Sequence, residues 1–212
     1  MKKKLLEYGG VAAGIILVAF GVAAIVLGVQ GKHTVVSSLK EQQIVGTPDM
    51  TPKGIAAEAK AAGLPSSIRL PSCTVANLPV NSGARARCFA DYMRIHSYEA
   101  SGGLTYAQMP RYASPDGKGT NDASKASKGA NGQPLDNAAR DVWVTETALS
   151  TALNVSYMAD QLGNFGIVVG IALLLSGLGF VILAVGGALR AGSWLFDHKS
   201  ETAARVTSPA GA

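Results

Sequence analysis

Two uncharged stretches, residues 8–31 and 161–189, constrain this chain more than any other feature. Each is longer than the roughly 20 apolar residues that cross a bilayer core of about 30 Å. Between them lies one polar segment, residues 32–160. The pattern predicts an all-α membrane protein, with two transmembrane helices bracketing a small extracytoplasmic helical domain with irregular loops. The first stretch starts basic, as a signal peptide does, but its apolar run exceeds the usual h-region of about 7–15 residues, and Val29-Gln30-Gly31 is a poor cleavage site. It is therefore read as an uncleaved span.

Charge gives the orientation. Lys2, Lys3, Lys4, Arg190, Lys199 and Arg205 stand in the two short flanks against Glu7, Asp197 and Glu201, while the long loop is nearly balanced. Lys and Arg concentrate in short cytoplasmic flanks, and long loops translocate largely regardless of charge. The expected location is the plasma membrane, multi-pass, with both termini in the cytosol and Trp194 and Phe196 at the inner interface. The formal net charge of +5 sits mostly in the tails, where it serves topology and attraction to anionic lipid. The loop has no basic stripe, so no nucleic-acid partner is expected.

Neither span contains a charged residue, which argues against a carrier or pump, because ionisable groups inside the membrane mark ion and proton paths. Glycine is regular instead. Gly14, Gly21 and Gly28 repeat every seven residues, as do Gly163, Gly170 and Gly177; Gly10 with Gly14 and Gly166 with Gly170 form GxxxG pairs. Small residues on one face let helix backbones approach closely. Two readings stay open: the spans of one chain pack on each other, or they meet a membrane-protein partner or a second copy.

In the loop, Thr51-Pro52 opens a short helix ended by Gly63 and Pro65. A second helix is expected over 84–100, stopped by Gly102-Gly103. Residues 113–134 are poor in hydrophobics and rich in Gly, Ser, Asn, Asp and Lys, and are expected to be a flexible loop. From Asp136 a third helix, with Val142, Leu149 and Leu153 on one face, meets no proline before Arg190 and is expected to run into the second span. Cys73 and Cys88 both lie in the exported segment, where a disulfide is permitted; the bridge would be worth roughly 3 kcal/mol in the chain-entropy model.

The segment His96-Ser97-Tyr98-Glu99-Ala100-Ser101-Gly102-Gly103-Leu104-Thr105-Tyr106-Ala107-Gln108-Met109-Pro110-Arg111 resembles one in small two-span membrane proteins of actinobacteria. These are often labelled "aromatic ring-opening dioxygenase LigA". The resemblance covers the hairpin layout and residues 92–112 and 140–190, including Ala188-Leu189-Arg190; residues 113–134 and the Cys73/Cys88 region read as additions to the shorter members. It implies a two-span architecture and no assigned activity. The label itself needs a 2-His-1-carboxylate iron site, and the chain's histidines are His33 at the membrane edge, His96 outside and His198 in the cytosolic tail.

His96 and Glu99 share a helical face. One histidine with one carboxylate offers too few ligands for a tight metal site, so no metal and no cofactor is expected. The segment reads as structural, with Glu99 accepting from amides of the following turn, Gly102 and Gly103 as the left-handed cap, Thr105 capping the next turn, and Tyr106 against the Trp143 helix. No Ser-His-Asp set, Walker loop, CxxC pair or HExxH occurs, and no enzyme is expected. The leading expectation is an interaction or accessory subunit; the alternative is an extracytoplasmic sensor or ligand-binding protein using His96 and Glu99.

Overall fold

The computed structural model describes residues 2–186. Among these residues there are four helices and no strand: α1 (Lys2–Glu41), α2 (Pro52–Ala61), α3 (Gly83–Ala100) and α4 (Ala138–Val185). They fall into two compact units, one comprising the chain up to Gly31 and from Leu162 onward, the other Lys32–Gln161. The expected tail features, from Ala188-Leu189-Arg190 through Trp194, Phe196 and His198, lie outside the described residues.

α1 and α4 are each long and apolar enough to cross a membrane. Within the first unit their glycines meet in register: Gly14 opposes Gly177, Gly21 opposes Gly170, and Gly28 opposes Gly163. One number rises as the other falls, so the helices run antiparallel. A Cβ built on Gly14, Gly21 or Gly28 would lie 2.7 Å from the carbonyl oxygen of its opposite glycine. That distance admits no side chain, and backbone packs on backbone. A strict seven-residue repeat keeps such a seam aligned along a left-handed supercoil. The GxxxG spacing does not set it, since Gly166 meets Ala24 only at a looser 3.5 Å. Facing away from the seam, Ile15, Ile16, Phe20, Leu27, Phe165, Val168 and Ile182 are apolar and exposed, an arrangement suited to lipid rather than water.

The second unit is built by short signals. α1 continues for three turns beyond Gly31 and buries Leu39. Thr51 caps α2, its hydroxyl accepting from Gly54 N at 3.0 Å, and Pro52 occupies the first turn, where its missing N–H costs nothing. Ser82 caps α3. At its other end Gly103 N donates to Tyr98 O and Gly102 N to Glu99 O, both glycines at positive φ; this is a Schellman motif. Gly83 lets α3 start directly on α4, where a Cβ would meet Tyr157 Cα at 2.9 Å. The core gathers Leu39, Met50, Ile55, Val75, Val80, Phe89, Tyr92, Ile95 and Leu153 from all four helices and the segments on either side of α2. Cys73 and Cys88 form a disulfide that ties this loop to α3, with Cα atoms 6.1 Å apart.

One expectation needs correction. The inward row of α4 begins at Trp143, not Val142. Trp143 is buried, donates from Nε1 to Leu104 O at 3.0 Å and meets the edge of Tyr98 with ring centroids 4.9 Å apart, whereas Val142 is exposed. Residues 113–134, where the sequence offers little to bury, carry a mesh of hydrogen-bonded turns. Tyr112 and Thr120 exchange both backbone bonds, Ala113 N donates to Leu135 O, and Ser127 N to Ala113 O. Asp116, Asp122 and Asn131 accept from backbone amides two residues on. Polar side chains, not apolar burial, make these turns.

Candidate functional site

His96 stands on α3 with three carboxylates around its ring. Glu99, one turn on, places Oε2 3.0 Å from Nδ1. Asp49 Oδ2 is 3.6 Å from Nε2, and Glu58 Oε2 is 4.0 Å from Nδ1. All four side chains are half-buried, from 23% to 38% exposed.

Each is placed by packing nearby. α2 packs against α3, with Ile55 and Ala59 buried, which leaves Glu58 at the rim of that contact. Ile95 and Tyr92 are fully buried and fix the rotation of α3. Asp49 precedes α2 in a turn whose next residue, Met50, is buried; Met50 O accepts from Thr74 Oγ1 at 3.1 Å and from Val75 N at 3.2 Å. These two residues follow Cys73, so the disulfide to Cys88 on α3 holds the Asp49 turn from behind. Tyr92 closes the bracket by donating its hydroxyl to Cys73 O at 2.6 Å. Its pKa is raised by burial and then by the negative charge of Asp49, which keeps the phenol a donor.

The electrostatics are one-sided. Burial pushes the Glu58 carboxyl above its ordinary value; the charges of Asp49 and then Glu99 push it further, and His96 pulls the other way. Glu99 Oε1 is buried with no hydrogen-bond partner. A partly shielded nest of three carboxylates around one imidazole is an arrangement that could hold a cation.

Glu99 does not accept from the following turn, as the sequence suggested. The amides of Gly102 and Gly103 are taken by backbone carbonyls of the Schellman motif, which leaves Glu99 to His96. Thr105 donates its N–H and hydroxyl to Gln108 Oε1, both at 2.9 Å, so the cap comes from Gln108. Tyr106 lies under the guanidinium of Arg140 on α4 at 4.1 Å, so it packs against the Trp143 helix as expected, while Tyr98 meets the Trp143 ring itself. Arg111 sits over the Tyr112 ring at 5.0 Å. His33 is exposed on α1 and is not part of the cluster.

The sequence reading missed Asp49 and Glu58, and with them the ligand count. Asp49, Glu58 and His96 each offer one donor atom, all within 4.8 Å of one another. A tetrahedral ion with bonds near 2.1 Å needs donors about 3.4 Å apart. Half-exposed side chains can close that gap by rotation. Asp49 and Glu58 lie in no local motif with His96, and only long-range packing joins them.

No family model, curated protein or solved structure matches this chain.

Proposed function

We propose that the chain is a non-catalytic, two-span protein of the plasma membrane whose Lys32–Gln161 unit lies outside the cytosol and responds to a cation at His96. The observation that carries the reading is the convergence of Asp49, Glu58 and Glu99 on one imidazole. Apolar surface along α1 and α4 supports contact with the lipid bilayer, and the basic flanks support cytosolic termini. The glycine rows that could have served a partner span are filled by each other. The sensing reading gains two ligands that the sequence did not offer, Asp49 and Glu58.

The donor set offers one imidazole nitrogen and carboxylate oxygens. Imidazole suits zinc and its neighbours, while an all-oxygen site would suit calcium or magnesium. Glu99 accepts from Nδ1 when that nitrogen is protonated, which turns Nε2 toward Asp49, the arrangement of a histidine held by an outer carboxylate.

The test uses the full chain in mild detergent. Its melting temperature is followed against Zn²⁺, Ca²⁺ and a pH step from 5 to 7.5, in wild type and His96→Ala. A shift with Zn²⁺ or with pH that vanishes in His96→Ala supports the reading. Equal curves for both proteins under every condition refute it.

A further inference from the structure

A cavity of about 400 Å³ opens beside α3, between the segment after α2 and the turn at residues 103–108. Its polar lining comes from Ser67, Arg69, Arg94, Tyr98, Thr105 and Gln108. No carboxylate lines it. Arg94 Nε is buried and has no hydrogen-bond partner, and neither Arg69 nor Arg94 forms an ion pair among the described residues. Arg94 and Tyr98 are four residues apart and share one face of the helix. His96, two positions on from Arg94, is about 200° round the axis. α3 thus faces the carboxylate-rich cluster on one side and on another presents Arg94, which shares the cavity with Arg69 of the segment after α2.

A guanidinium presents five N–H donors in a planar fork that matches the oxygens of a carboxylate or phosphate. A buried donor left without an acceptor is unfavourable; an oxyanion in the cavity would supply one. We propose that this cavity binds a small oxyanionic ligand, an organic acid or a phosphate ester. Its acidic group sits between Arg94 and Arg69, its body lies against Tyr98, and Ser67 and Thr105 stand at hydroxyl positions around it. The site is separate from the His96 cluster and stands whether or not that cluster binds a cation.

Trp143 is a built-in reporter. Its ring packs on Tyr98, and its Nε1 donates to the carbonyl of Leu104, which lies between the lining residues Gly103 and Thr105. In a Trp194→Phe background, leaving Trp143 as the single tryptophan, the full chain in detergent is titrated with inorganic phosphate and with succinate at constant ionic strength. Sodium chloride is the control. The expected result is a saturable change in Trp143 emission with at least one of the two anions, weakened tenfold or more in Arg94→Gln and in Arg69→Gln. Arg94→Lys, which keeps the charge and loses the fork, should bind more weakly than wild type. His96→Ala should bind as wild type. The tighter of the two anions names the acidic group of the ligand. If Arg94→Gln disturbs folding, Arg69→Gln carries the test, because Arg69 is exposed on an irregular segment. The proposal is overturned if neither anion gives saturation, if chloride gives the same response, or if Arg69→Gln binds unchanged.

Discussion

The glycine seam yields the sharpest prediction. Replacing Gly21 with alanine puts a methyl carbon 2.7 Å from Gly170 O, 2.8 Å from Leu174 N and 3.1 Å from Leu174 Cα. All three are backbone atoms, so no side chain can rotate away. Ordinary contact begins near 3.4 Å, and the two helices must part by about 0.7 Å at that level. Separation removes close backbone contacts above and below, and in lipid no hydrophobic term between helices compensates for them. Overpacking of this kind costs about 1–3 kcal/mol. Gly179→Ala is the control, because nothing lies within 4 Å of its position; there the change should be neutral, or should gain up to about 1 kcal/mol from helix propensity. The double variant Gly21→Ala, Gly170→Ala is informative in a different way. One separation of the helices accommodates both methyls, so its cost should fall well short of the two single costs added. The assay is energy transfer between dyes on cysteines replacing the exposed Ile16 and Leu178, in a Cys73/Cys88-free background, through an SDS titration. A Gly21→Ala curve that overlays that of Gly179→Ala would refute the backbone-on-backbone seam, and full additivity in the double variant would refute the shared separation.

The Glu58 carboxyl is raised above its ordinary value of 4.5. Its contribution to stability is fully present below that value and is lost as pH rises through the folded value. Glu58→Gln should therefore melt higher than wild type at neutral pH without metal, converge with it toward pH 4, and lose any Zn²⁺ response; a lower melting temperature at pH 7 would contradict this. Reducing Cys73–Cys88 should cost roughly 3 kcal/mol by loop entropy and should weaken cation binding at His96, measured by zinc titration with and without reductant; unchanged affinity after reduction would show that the disulfide does not hold the Asp49 turn. In a background lacking both native cysteines, Ser124→Cys and Ser200→Cys should label from opposite sides of the membrane, and labelling of both from outside intact cells would refute the hairpin topology.

The helices were legible because their signals are local. Thr51-Pro52 announces the start of α2, Gly102-Gly103 the end of α3, and the proline-free run after Leu135 the length of α4. The heptad glycines were legible as a surface of close approach, but not as to what they approach, because spacing within one helix carries no register with another. The register is set by pairs such as Gly21 with Gly170. The turns of residues 113–134 were not legible for a related reason. Composition tests whether a segment can bury apolar surface, and this one is held by Asp116, Asp122, Asn131 and backbone pairs instead. Val142 fits a helical stripe as well as Trp143 does; the indole N–H, which needs an acceptor and finds Leu104 O, decides between them.

The His96 cluster was half legible, and the missing half depends on a contact chain rather than a motif. His96 and Glu99 are read from one turn of helix. Asp49 reaches them because Met50 is buried and its carbonyl is held by Thr74 and Val75. Those residues are held in turn by Cys73, which is bonded to Cys88 two turns before His96. In the sequence the two cysteines look like a staple on a short loop, valuable only for stability. In the fold the same bond ties the segment behind Asp49 to the helix of His96, and Tyr92, donating to Cys73 O, adds a second tie. The core of Ile55, Val75, Tyr92 and Ile95 and this loop geometry together bring Asp49 Oδ2 to 3.6 Å from Nε2. The disulfide is thus part of the cluster's construction as well as of the fold.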